Sequence, residues 1–218
     1  MDEFEILKLV DHTVLKQTTV WCDIKNLCDD AIRYNTASVC LPPCFVNRAK
    51  EYVQNRMKIC TVVGFPNGYS TLNTKCTETE EALKNGADEI DMVINICDLK
   101  DKNYNSVLRE IGKLKELCKD KILKVIVETC LLTEQEKIEM CKIVSQSGAN
   151  YIKTSTGFST SGATVSDIKL FAKNITGDVK IKAAGGISSF EDAKDLILAG
   201  ASRLGTSRLV QIMKTKEQ

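Results

Sequence analysis

The chain has 218 residues, is 43% hydrophobic and 27% charged, and carries a formal net charge of +1. Those proportions fit a globular protein with a sizeable core and exclude a disordered chain or one with the basic footprint of a nucleic-acid binder. With no run of ~20 apolar residues to span a bilayer, and acids in "MDEFEILKLV" where a secretion signal carries bases, the expectation is a cytoplasmic protein with no membrane or nucleic-acid partner.

A short helix opens the chain, and strand-like runs then alternate with amphipathic ones. Strand patterns fall on "KLVDHTVL", "TASVCLP", "KICTVVGF", "DEIDMVIN", "ILKVIVET", "NYIKTS", "DVKIKAA" and "ASRLGTS". Helical periodicity covers residues 23–34, 44–55, 73–85, 101–118, 133–147, 164–174, 189–199 and 206–214. Gly-Ala stops in "LKNGAD", "SQSGAN" and "ILAGAS" end three of the helices. Thr133 and Ser188 begin the Ser/Thr-x-x-Glu spacing of a capping box. Eight strand–helix repeats predict a (β/α)8 TIM barrel with a short N-terminal helix, a single domain over residues 1–218. No Gly-x-Gly-x-x-Gly follows an early strand, which argues against a dinucleotide site.

The ten cysteines include no Cys-x-x-Cys pair, and His12 is the only histidine, so no metal is expected. Most of these cysteines lie in apolar runs and read as small core hydrophobes. Cys40, at the end of the second strand, is open between core and pocket wall. His12 alternates away from Asp11 and should pack against a helix.

In a barrel of this kind the catalytic mouth lies at the C-terminal ends of the strands. The polar residues there are Asp11 and Thr13, Cys40, Asp91 and Asn95, Glu128 and Thr129, Lys153, and Lys180 with Lys182. Two lysines on neighbouring strands are the informative feature. A lysine nucleophile must be neutral, yet its ordinary pKa is about 10.4. A second ammonium about 4 Å away, at an effective dielectric of about 20, opposes protonation by about 4 kcal/mol. At about 1.36 kcal/mol per pKa unit, that is enough to lower one lysine by roughly three. If Asp91 lies nearer Lys182, that ammonium is stabilised and Lys153 is left as the nucleophile. Lys180 shares a face with Lys182, and spacing alone does not choose between them. Asp88 and Glu89 are expected to solvate the start of their strand. Glu128 is open between an interior lysine partner and a substrate contact. "AAGGIS" and "LGTSR" follow the seventh and eighth strands, the usual place for a phosphate in such barrels, and Arg208 adds charge there.

"DHTVL", "ASVCLPP", "GADEIDMVIN", "YIKTSTGF", "KAAGGI" and "RLGTS", in this order and across nearly the whole chain, resemble deoxyribose-phosphate aldolase. The resemblance implies a class I aldolase that cleaves 2-deoxy-D-ribose 5-phosphate to D-glyceraldehyde 3-phosphate and acetaldehyde. It implies no cofactor, a small sugar phosphate as partner, and a homodimer. It puts the Schiff base on Lys153 and proton transfer on Lys182 and Asp91, leaving Lys180 as a deeper packing lysine. Asp11, Thr13, Cys40 and Thr154 match the pocket. Gly157, Gly185, Gly186, Ser188, Gly205 and Ser207 match the phosphate loops. Three residues depart from the family pattern: Ala183 where many relatives have proline, Phe158 where some have lysine, and Arg208 where a small residue is commoner. Two other readings stay open on residues alone: a Schiff-base aldolase for another sugar phosphate, and a barrel that binds a sugar phosphate without turnover.

Overall fold

A computed structural model describes residues 1–217. Helix α1 (Glu3–Leu7) precedes β1 (Val10–Thr13), and α2 (Trp21–Arg33) leads to β2 (Ser38–Leu41). There follow α3 (Val46–Val53), β3 (Ile59–Val63), α4 (Leu72–Lys84), β4 (Glu89–Val93), α5 (Ile96–Lys100) and α6 (Tyr104–Cys118). The second half runs β5 (Ile122–Ile126), α7 (Glu134–Gln146), β6 (Tyr151–Lys153), α8 (Val165–Asn174), β7 (Lys180–Ala184), α9 (Phe190–Leu198), β8 (Arg203–Thr206) and α10 (Leu209–Lys216). All eight strands are parallel, each pairs with its sequence neighbours, and β8 returns to β1 to close the barrel. Among the described residues no helix is long and apolar enough to cross a membrane.

The elements form where their local chemistry places them. Gly86, Gly148 and Gly200 take left-handed φ angles and end their helices. Thr133 and Glu136 close the expected capping box. At α9 the box sits one residue later than its spacing suggests, because Ser189 is the cap and Asp192, not Glu191, answers it. The helix expected over 101–118 begins at Tyr104, and a separate short helix, α5, precedes it. Asp98 accepts from Asn95, Asn103 and Ser106, which gathers the chain into a turn, and Lys102 adopts φ +60° there.

The hydrophobic core lies between barrel and helices, built from outward strand residues such as Val39, Ile90, Met92, Val125 and Ile152 against Ile24, Leu27, Ile111, Leu114 and Phe171. His12 faces that layer, 3% exposed, near Asp30 of α2 and Lys214 of α10. The inside of the barrel is different. Barrels of this type are usually filled with branched aliphatics, whereas here Asp11, Ser38, Glu89, Asp91, Lys124 and Lys182 are all fully buried within it.

Candidate active site

Period-two alternation turns Asp11 of β1, Asp91 of β4, Lys124 of β5, Lys153 of β6, Lys182 of β7 and Arg203 of β8 to one side of the sheet, and closure of the barrel makes them converge. Asp91 is the hub. Its Oδ2 accepts from Lys153 at 2.7 Å and from Lys182 at 2.6 Å, and its Oδ1 accepts from Lys124 at 2.8 Å. The amines of Lys153 and Lys182 therefore share one oxygen and lie no further apart than the sum of those two contacts.

The sharing is equal, so Asp91 alone does not choose between the two lysines. What separates the two lysines is Asp11, whose Oδ2 lies 2.5 Å from Lys182. Its Oδ1 accepts from Arg203 at 2.6 Å and from Ser38 at 2.8 Å. Burial by itself would lower the pKa of Lys182, but Asp11 and Asp91 outweigh it and hold that amine above the ordinary lysine value. Burial opposes charge on Asp91 too, and Lys124, Lys153 and Lys182 overcome it, leaving the carboxyl well below the usual range. Asp11 is likewise held low, against burial, by Lys182, Lys124 and Arg203. Asp11 was expected to line the pocket, yet both of its oxygens are occupied inside the barrel, where it fixes Lys182.

Lys124, Glu89 and Arg203 complete the cluster. Glu89 does not solvate its strand: it is fully buried, 2.5 Å from Lys124 and 3.4 Å from Arg203. Its place was readable two residues before Asp91, on the same face by alternation. Lys124 lies in register with Asp91, the one charge in an apolar strand. Lys180 is no deep packing lysine either; it stands exposed at the start of β7, on the open lower rim.

The pocket wall next to Asp91 is sulfur. Cys40 and Cys60 are register partners, packed with Val62 and flanked by Leu15 and Phe65. With Asp91 they bring three metal-ligating atoms within 4.8 Å of one another, but a cation there would face the lysines that already hold the carboxylate. Thr13 is half-buried and donates to the Asp11 carbonyl. Thr154 is fully buried, its hydroxyl bonded to both the carbonyl and the N–H of Ala184, so it joins the ends of β6 and β7.

Glu128, two residues beyond β5, has φ +55° and accepts from the N–H and hydroxyl of Thr156, which anchors the loop after Lys153. Among the described residues it pairs with no lysine. On that loop Phe158 is exposed and meets Phe65 edge-on, with ring centroids 5.4 Å apart. The aromatic pair joins the loops after β3 and β6 at the mouth.

The glycines of the loops after β6 and β7 approach closely. Gly185 has φ +81° and Gly186 φ +76°, and a Cβ on Gly162 would fall 2.3 Å from Gly185 carbonyl atoms. Gly162 was not singled out in the sequence, although its place between small residues was a signal. Gly157 is exposed at φ +84°. Gly205 lies over Lys182, where a Cβ would come 3.2 Å from its Cε. Ser188 gives its N–H and hydroxyl to Asp192, so the capping carboxylate takes the donors expected for phosphate. Ser207 and Arg208 are exposed at the entrance to α10.

Comparison with known proteins gives the family. The DeoC/LacD family aldolase model matches residues 5–205. A deoxyribose-phosphate aldolase of Clostridium botulinum is 58% identical over 217 residues, covering 100% of this chain and 98% of that one. One from Streptococcus pyogenes is 56% identical, covering 99% and 97%. The structure of deoxyribose phosphate aldolase from Aeropyrum pernix, a tetramer, superposes with a TM-score of 0.91 at 28% identity, covering 100% of this chain and 93% of that one. The chain belongs to the DeoC/LacD aldolase family.

Proposed function

We propose that this protein is a class I aldolase that reversibly cleaves 2-deoxy-D-ribose 5-phosphate to D-glyceraldehyde 3-phosphate and acetaldehyde through an imine on Lys153. The observation that carries the reading is the single oxygen, Asp91 Oδ2, bonded to the amines of both Lys153 and Lys182. Four interior cations, Lys124, Lys153, Lys182 and Arg203, meet three carboxylates, Asp11, Glu89 and Asp91. Loss of the Lys153 proton brings that cluster to neutrality and frees the amine to attack the substrate aldehyde. The iminium that follows restores the positive charge at the same place, beside the same Asp91 oxygen. Its electron demand draws the C2–C3 bonding pair into an enamine as the C3 hydroxyl gives its proton to the Asp91 carboxylate, and glyceraldehyde 3-phosphate leaves.

Lys182 remains an ammonium because two carboxylates face it, so it serves as the proton donor and Asp91 as the relay between the two amines. Protonation of the enamine at C2 and hydrolysis of the imine release acetaldehyde and return Lys153. The phosphate is received by backbone N–H groups of Gly157, Gly185, Gly186, Gly205 and Ser207, with Arg208 beside them. Phe158, where a cation would reach the phosphate, instead closes an apolar edge of the mouth with Phe65. The chain acts as a single domain in the cytoplasm, in keeping with its ten free thiols. The expected homodimer stays part of this proposal, and static light scattering decides between it and a tetramer.

A coupled assay of aldehyde release tests the substrate. Deoxyribose 5-phosphate should be cleaved with a kcat/KM at least about 100-fold above that for ketose phosphates. Faster cleavage of a ketose phosphate would contradict the substrate assignment. Thermal stabilisation by the sugar phosphate with no aldehyde released would point to a binding protein.

A further inference from the structure

Cys60 has no task in the reaction above, yet its thiol sits inside the charge network. It donates to Asp91 Oδ1 at 3.2 Å and accepts from Lys124 Nζ at 3.3 Å. Cys40 is its register partner on the adjacent parallel strand, and both are buried in the same small cluster inside the barrel. Neighbouring strands are about 4.7–4.9 Å apart, inside the about 4.4–6.8 Å Cα separation that a disulfide needs. The two sulfurs lie within 4.8 Å of one another and of an Asp91 oxygen. We propose that Cys40 and Cys60 are a redox-sensitive pair that hydrogen peroxide closes into a disulfide, reversibly switching off the enzyme. The loss of activity rests on the aldolase reading; the bond itself does not.

The chemistry balances with the peroxide as sole oxidant. Cys40 sulfur attacks one peroxide oxygen, the O–O bond breaks, and the departing hydroxide takes the Cys40 proton as water. Cys60 sulfur then displaces hydroxide from the Cys40 sulfenic acid, and the Cys60 proton leaves with it as a second water. Two thiols are oxidised and one peroxide is reduced. The pair is unequal in the right sense. The neighbouring Cys60 side chain, helped by Lys182 and Lys153, holds the Cys40 thiol below its usual pKa despite burial. Burial pushes Cys60 well above it. Cys40 is thus the attacking thiol and Cys60 the resolving one. Closure removes the S–H that Asp91 accepts and draws the pocket wall together, so kcat falls by about tenfold or more.

The test uses the full chain with the exposed Cys22, Cys44 and Cys97 replaced by serine. It is treated with hydrogen peroxide, alkylated and mapped without reductant. The expected product joins the tryptic peptides 34–48 and 59–75, forms in step with the loss of aldolase activity, and reverts together with it in dithiothreitol. Cys60→Ala should yield no such peptide. Absence of the link in a protein that still turns over substrate, a link to another cysteine, or a full link without loss of activity would each overturn the proposal.

Discussion

Asp11 is the group that makes two chemically identical lysines different, so its charge is the most informative one to remove. It accepts from Lys182 at 2.5 Å, Arg203 at 2.6 Å and Ser38 at 2.8 Å, with no exposed surface of its own. Asp11→Asn keeps the shape but leaves four interior cations facing two carboxylates. Removing one partner from a buried pair costs about 3–5 kcal/mol, a large share of the about 5–15 kcal/mol that holds a domain folded. Arg203→Met in the same chain takes away one cation and restores the original excess of one. Urea unfolding at pH 7 of the wild type, both single variants and the double variant measures the coupling. Asp11→Asn should lose about 3–5 kcal/mol, and the double variant should be destabilised by about 1–3 kcal/mol less than the sum of the two singles. A loss under about 1 kcal/mol, or a double variant that bears the full sum, would refute the reasoning.

Lys182→Leu should fold, reduce kcat by about 10²–10⁴, and still allow slow imine formation on Lys153; single-turnover labelling checks this. Gly162→Ala forces a Cβ to within 2.3 Å of Gly185, so the loop after β7 must shift and KM should rise about tenfold or more with kcat less affected. His12 is pushed down to about 4 by burial, with Asp30 opposing. Its neutral form therefore stabilises the fold above pH 6.5, and that stability is lost as pH falls toward 4. The loss amounts to about 3 kcal/mol at about 1.36 kcal/mol per pKa unit. Urea midpoints at pH 7, 5.5 and 4 should show the slope, and His12→Gln should flatten it between 6.5 and 5. Asp11 and Asp91 do not contribute there, because carboxyls held low add stability that is lost only as pH falls below the unfolded value near 4.

The barrel was legible because its signals are local. Glycine stops, hydroxyl caps and short β-branched runs each act within a few residues, and Gly86, Gly148 and Gly200 fall where those signals put them. Lys153 stood out as a charge closing a buried strand. Asp11, Asp91 and Lys182 were found with it, but Lys124, Glu89 and Arg203 were not, because a rule that weighs only strand ends discards charges at mid-strand or strand start. Lys124 inside "ILKVIVET", Glu89 two residues before Asp91, and Arg203 inside "ASRLGTS" all point into the barrel. No single strand shows that they meet, since their contacts cross sequence separations that only closure brings together. Lys180 misled for the opposite reason. It has the right phase to face inward, but it begins its strand and is wetted at the rim. The difference between Lys153 and Lys182 lies in Asp11, far away in sequence, and not in either lysine's own motif.

Borohydride trapping with acetaldehyde tests the central claim most directly. An N-ethyl group should appear on the peptide that carries Lys153, and Lys153→Ala should take up no label at any other lysine of the barrel. Labelling of Lys182 or Lys124 in the wild type, or unchanged labelling of Lys153→Ala, would contradict the account.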